Sequence, residues 1–198
     1  MGYNYGAAIK AASKEYFLVQ TLDWSYDITA LGTSFDLLRR YDVLQGVRPT
    51  GRLAAAMGAR SDTNWKAGVS LINYGLIRLL FRMPVGDFQN VTVCPTRLAQ
   101  PLTLESDSSF ANPEVMLKTW WQGASIYEVA VPFRKRERGV ATGTRWRSIA
   151  RSVRDILRCW FVWAALGRQD RSRKGMIVRL NDRVRQAARG ADLLILKG

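Results

Sequence analysis

The stretch from Glu114 to Gly139, EVMLKTWWQGASIYEVAVPFRKRERG, limits the chain to folds that combine helices with strands. Val115, Leu117, Trp120 and Trp121 have the spacing of a helix, and Gly123, which has no Cβ, suits its C-terminus. Ile126, Val129 and Val131 then read as a short strand, and Pro132, lacking an N–H, ends its regular pairing. Arg134, Lys135, Arg136, Glu137 and Arg138 follow, closed by Gly139. A cationic loop leaving a strand end is how an α/β protein presents an anion site. Taken alone, the same run also reads as a solvated charged segment after an edge strand.

The chain has 198 residues, enough for a sizeable core, and 47% of them are apolar, which excludes a disordered chain. Its charge is unevenly placed: residues 1–133 carry 12 Lys/Arg against 11 Asp/Glu, whereas residues 134–198 carry 18 against 5. A partner that reads positive charge is therefore expected to meet the last third. The absence of histidine removes Ser-His, Cys-His and His-base mechanisms. Cys94 and Cys159 make no disulfide framework and no CxxC site, so a reducing, cytosolic setting is expected. No signal peptide and no run of membrane-spanning length is legible.

Along the chain, a helix is expected from about Tyr5 to Ser13, then a strand from Tyr16 to Thr21, apolar enough to be buried on both faces. Asp23, Ser25 and Asp27 alternate at its exit. Oxygen side chains in that pattern suit one hard cation, and they equally suit a polar turn in which Asp27 caps the next helix. Residues 28–40 read as a helix with Leu31, Phe35 and Leu38 on one face, and Tyr41 to Gly46 as a strand. A long helix spans Asn64 to Phe81 with Trp65, Val69, Ile72, Leu76 and Leu79 at helical spacing, and Pro84 stops it. Val91 to Val93 return to the sheet, and residues 96–109 read as loop. Glu114 stands at the head of its helix, where a carboxylate can act on a substrate or simply meet the helix dipole.

Two ordered sets of residues resemble the later part of family 2 glycosyltransferases, the inverting GT-A enzymes that include polyprenyl-phosphate sugar synthases. One is Ser108, Phe110, Asn112 and Glu114; the other is Gly123, Ile126, Glu128, Val129, Val131, Pro132, Phe133, Arg136 and Gly139. Asn4, Gly6 and Ala8 look like the family's helix start, Asp23 like the first acid of its D-x-D metal motif, and Gly46-Val47-Arg48 like its G-S-R. Ser25 departs from the motif at the second acid, and Asp27 is placed to supply the missing carboxylate. The likeness covers roughly Asn4 to Thr144. It implies a partial GT-A sheet flanked by helices over residues 1–144, with a basic amphipathic helical tail over residues 145–198. The strands that hold a donor's base and ribose would lie outside this stretch, which implies either a truncated product or a partner that supplies that half; a homo-oligomer or a complementing subunit is expected.

The resemblance also implies roles. Asp23 and Asp27 would hold a divalent cation, Mg²⁺ or Mn²⁺, on the diphosphate of a nucleotide-sugar. Arg48, Arg134, Arg136 and Arg138 would bind donor or acceptor phosphates. Asp87, in a segment like the family's D-x-x-x-F-K/R, and Glu114 would orient or deprotonate the acceptor, a polyprenyl phosphate or similar molecule. Lys66, Gln89 and Asn112 would lie on the acceptor side.

Beyond Gly143, Trp146, Ile149, Val153, Ile156/Leu157, Trp160 and Trp163 make one helical stripe and Arg147, Arg151, Arg154 and Arg158 another. That pattern fits a helix lying in a membrane interface, and equally one packed on its own domain with arginines in water. Met176 to Arg189 reads as a second amphipathic helix. A peripheral membrane association is expected on the first reading. Two other readings stay open: a transferase remnant without catalysis that binds a membrane or a partner, and a basic nucleic-acid-binding module, which the apolar stripe disfavours.

Overall fold

The computed structural model describes residues 2–19, 26–48, 64–88, 90–132, 146–180 and 182–183. Among them, a five-stranded mixed sheet is flanked by helices. In chain order the elements are helix α1 (Gly2–Ala11), strand β1 (Tyr16–Val19), one turn of helix α2 (Thr29–Gly32), a 3-10 turn (Phe35–Arg39) and strand β2 (Val43–Val47). Helix α3 (Asn64–Phe81), strand β3 (Thr92–Pro95) and one turn of helix α4 (Thr96–Ala99) come next. Helix α5 (Ala111–Trp121), strand β4 (Ile126–Ala130), helix α6 (Trp146–Trp160) with a wider π turn (Phe161–Ala165), and strand β5 (Ile177–Val178) complete the set.

The strand order is β1-β3-β2-β4-β5. Strand β3 runs antiparallel to both neighbours, Tyr16 facing Pro95 on one side and Leu44 facing Val93 on the other. The pairs β2–β4 and β4–β5 are parallel. Strands β1, β2 and β4 therefore point the same way, and their carboxyl ends share one edge of the sheet with the amino end of β3. Ligands of α/β sheets gather at such an edge.

Several expectations meet the structure directly. Helix α3 has the expected bounds, and Arg82 turns the chain with φ 55° before Pro84. Helix α5 ends at Gly123, whose φ of +95° favours glycine, and the Ala124 amide returns to the Thr119 carbonyl at 3.1 Å. Phe81, Phe110, Trp121 and Trp163 meet in one aromatic cluster at the centre of the main core, with ring centroids 5.6–6.1 Å apart.

Others are corrected. Strand β1 is an edge strand, half-buried rather than buried on both faces, with Leu18 exposed. A continuous apolar run does not say how many neighbours a strand has. The helix expected over residues 28–40 breaks into α2 and the 3-10 turn, because Gly32, Thr33 and Ser34 are weak helix formers placed together. Instead of beginning a helix at Met176, the chain lays Ile177 and Val178 beside β4. The Ile126 amide bonds to the Met176 carbonyl at 2.8 Å, so the open side of β4 supplies partners that local propensity does not. Residues 184–198 lie outside the described ones. The segment expected as a tail contributes Ile156, Cys159 and Trp163 to the same core as α3 and α5. Apart from Trp146 and Leu157, which stay exposed, the apolar stripe of this segment is thus spent on the domain.

Candidate functional site

The edge that collects the carboxyl ends of β1, β2 and β4 carries three of the polar side chains singled out in the sequence, Asp27, Arg48 and Asp87. Arg48 follows β2 directly. Its Nε lies 3.4 Å from Asp87 Oδ2, with the Asp87 side chain 1% exposed and that of Arg48 20%. A buried carboxylate needs such a partner, since an uncompensated charge there is costly. The same pairing keeps the guanidinium at the strand end, where its donors suit phosphate oxygens.

Asp27 reaches this edge from the other side: its amide bonds to the carbonyl of Pro132, just past β4, at 3.1 Å. Its Oδ1 accepts the Thr29 amide at 3.1 Å, which is the turn-capping contact. Asp23 lies outside the described residues. Among the described residues no group of three His, Cys, Asp or Glu side chains could hold a metal ion. Of the two acids expected to hold a cation, Asp27 alone lies among the described residues.

Buried polar side chains to which the sequence reading gave no role, Gln45 and Glu128, build the floor of the site. Gln45, fully buried within β2, donates Nε2 to the carbonyl of Asp87 at 2.9 Å and to that of Gly46 at 3.0 Å, and accepts from the Thr92 hydroxyl at 2.6 Å. It fixes the backbone of the Asp87 turn against two strands. Glu128, buried on β4 and opposite Gln45 in register, accepts the Gly86 amide at 2.6 Å and the Leu180 amide at 2.8 Å. Burial pushes its carboxyl above the usual range, and those two amides together with Arg179 partly offset this. Glu128 thus ties the Asp87 turn to the segment after β5. Gly46 is needed for close approach: a Cβ there would lie 2.9 Å from Asn90 Oδ1 and 3.0 Å from the Val91 carbonyl. A glutamine inside VLQGV and an acid inside IYEVA were the available signals, because a polar residue within an apolar strand must have a partner.

Asn112 and Glu114 are placed differently from the expectation. Asn112 donates Nδ2 to the Phe88 carbonyl at 3.1 Å and accepts from the Tyr5 hydroxyl at 2.7 Å, so it clamps α1, α5 and the turn before β3 together. Burial, then the nearby Cys94, pushes the Tyr5 hydroxyl above its ordinary range, which keeps it the donor. Glu114 is fully buried and its oxygens are engaged. Oε1 meets Lys118 Nζ at 2.7 Å and the Glu105 amide at 2.8 Å, while Oε2 takes the Ser106 amide at 2.9 Å. Its carboxylate holds the residue 105–106 loop onto α5, a structural role.

Arg134, Arg136, Arg138 and Gln89 lie outside the described residues, as does the side chain of Lys66. Both thiols are buried and pushed up to about 12, Cys94 and Cys159 alike by burial first, so neither is a nucleophile at neutral pH. No described helix is long and apolar enough to cross a membrane. In comparisons with known proteins, no family model and no curated protein matches this sequence.

Proposed function

We propose that this chain carries the acceptor-side part of a GT-A glycosyltransferase that moves a sugar, with inversion, from a nucleotide-sugar to a polyprenyl phosphate or similar acceptor. The observation that carries the reading is the convergence of Asp27, Arg48 and the buried Asp87 at the carboxyl edge of three co-directional strands. Residues far apart in sequence share one edge: Arg48 and Asp87, singled out by resemblance to transferase motifs, and Asp27, the acid next to a departure from one.

On this reading Arg48 binds a phosphate of donor or acceptor, where its positive charge offsets charge developing on the leaving diphosphate. Asp87 positions Arg48 and faces the acceptor. If the attacking group is already a phosphate oxygen it needs little base, and Asp87 then acts by orientation. Asp23 and Asp27 are the residues that would hold a divalent cation, whose chemistry is to neutralise the diphosphate. Gln45 and Glu128 hold the Asp87 turn in place.

Calorimetry of the full chain with UDP- and GDP-sugars, with Mn²⁺ and then with EDTA, followed by transfer to polyprenyl phosphate, tests this. Expected are metal-dependent donor binding that Asp23→Ala abolishes, and turnover that Asp87→Asn and Arg48→Ala each lower by about a hundredfold or more with the fold retained. Folded protein that neither binds any nucleotide-sugar nor transfers sugar would overturn the proposal.

A further inference from the structure

Helices α3 and α6 pack against each other, and the side chains they leave outside are unlike an ordinary solvated surface. On α6, Ile149, Asp155, Ile156 and Cys159 face inward. At 100° per residue the outward arc begins with Trp146, Leu157 and Ala150, continues to Phe161 in the π turn, and then passes to Arg154, Arg147, Arg158 and Arg151. Trp146 is 70% exposed, and Leu157 and Phe161 are about half exposed. On α3, Ile72 and Leu79 stand two turns apart on one face, Leu79 being 73% exposed. Large exposed apolar side chains are therefore concentrated on this helix pair, beside a row of four exposed arginines. Asp155, the one acid of α6, is buried, accepts the Asp107 amide and pairs with Arg154 at 3.3 Å, so α6 has no further carboxylate to offset Arg147, Arg151 and Arg158.

We propose that the α3–α6 face docks on an anionic lipid surface. Ile72, Leu79, Trp146, Leu157 and Phe161 enter the headgroup–acyl boundary while Arg147, Arg151, Arg154 and Arg158 lie on the headgroup phosphates. Of the stripe the sequence offers, Ile149, Ile156 and Trp163 are buried, while Trp146 and Leu157 stay on this face. A second copy of this chain fits it less well, because a two-fold contact there would bring the arginine rows of both copies together. A nucleic acid would use the arginines and leave five large apolar side chains unexplained. The inference does not depend on the transferase reading. Lipid docking is measured without donor or acceptor, so either proposal can fail alone.

Flotation of the full chain with vesicles of phosphatidylcholine, with and without phosphatidylglycerol, at low and high salt, tests the proposal. Binding to the anionic vesicles is expected, weakened by salt. Ile72→Ser with Leu79→Ser, and separately Arg151→Glu with Arg158→Glu, should each weaken it about tenfold or more. Circular dichroism and the melting temperature confirm that both variants stay folded. Three results would overturn the proposal: no binding of the wild-type chain to anionic vesicles, vesicle binding unchanged in both variants, or a single-stranded RNA that displaces the vesicles and binds the serine variant as well as wild type. Concentration-dependent dimerisation without lipid, lost in the serine variant, would assign the face to a second copy instead and overturn it as well.

Discussion

Lys118 is the cation on which a buried acidic pocket depends, and replacing it separates a structural Glu114 from a catalytic one. Its ammonium lies 2.7 Å from Glu114, 3.2 Å from Glu105 and 2.6 Å from the Thr103 carbonyl, and sits 4.7 Å over the Trp163 ring. The Lys118 side chain is 5% exposed and that of Glu114 0%. Lys118→Met keeps the volume and removes the charge, leaving Glu114 buried with two backbone amides as its partners. Breaking a buried pair in this way costs about 3–5 kcal/mol, a large share of the roughly 5–15 kcal/mol that holds a domain together. At about 2–4 °C per kcal/mol for a chain of this size, the melting temperature should fall by roughly 6–20 °C. Thermal and urea unfolding, followed by circular dichroism, measure the loss. Adding Glu114→Gln to the same chain removes the stranded charge and should restore more than half of it, a coupling that a double-mutant cycle reads directly. A Lys118→Met protein melting within about 2 °C of wild type, beside a stable Glu114→Gln protein without transferase activity, would refute the argument and return Glu114 to the chemistry.

Asp42 is expected to shape acid unfolding. Burial alone would raise its carboxyl, but hydrogen bonds from the Ser125 amide and hydroxyl and the nearby Arg97 outweigh this and hold it below the usual range. A depressed folded-state value stabilises above the unfolded value of about 4 and is lost as pH falls through the folded one, so Asp42→Asn should flatten the decline in stability below about pH 4. Unchanged pH profiles of urea midpoints would show that Asp42 does not contribute. Gly46→Ala would press a methyl onto the Val91 carbonyl and Asn90, and should cost about 1–3 kcal/mol in urea unfolding; a neutral effect would mean that β2 and the turn before β3 have room to part.

Hydrophobic spacing and chain breakers carried α3 and α5 into the sequence reading almost residue for residue. Properties that depend on neighbours did not come through. Tyr16 to Thr21 reads as a strand buried on both faces because apolar content does not reveal edge position, and Met176 to Arg189 reads as helix because the unpaired side of β4 is absent from the local pattern. At the site, Arg48 and Asp87 were legible through motif resemblance, although their pairing was not. The burial of Glu114 was not legible, yet Lys118 four residues later was a visible sign of its partner. Gln45 could have been found from its position alone, as the polar side chain in an otherwise apolar strand.

The way the strands pair also sets when the molecule can form. Tyr16 meets Pro95, Val43 meets Ile126 and Ile126 meets Ile177, so neighbouring strands are not joined by a hairpin and each ladder closes a long loop. Such pairing is slow, because chain entropy is lost before the contacts form to repay it. On the ribosome, β1 and β2 emerge well before β3, and β3 seats itself between them only after α3 has been made. Until then two apolar strand edges stand open in the nascent chain, which is when this protein is most exposed to aggregation and most dependent on a chaperone.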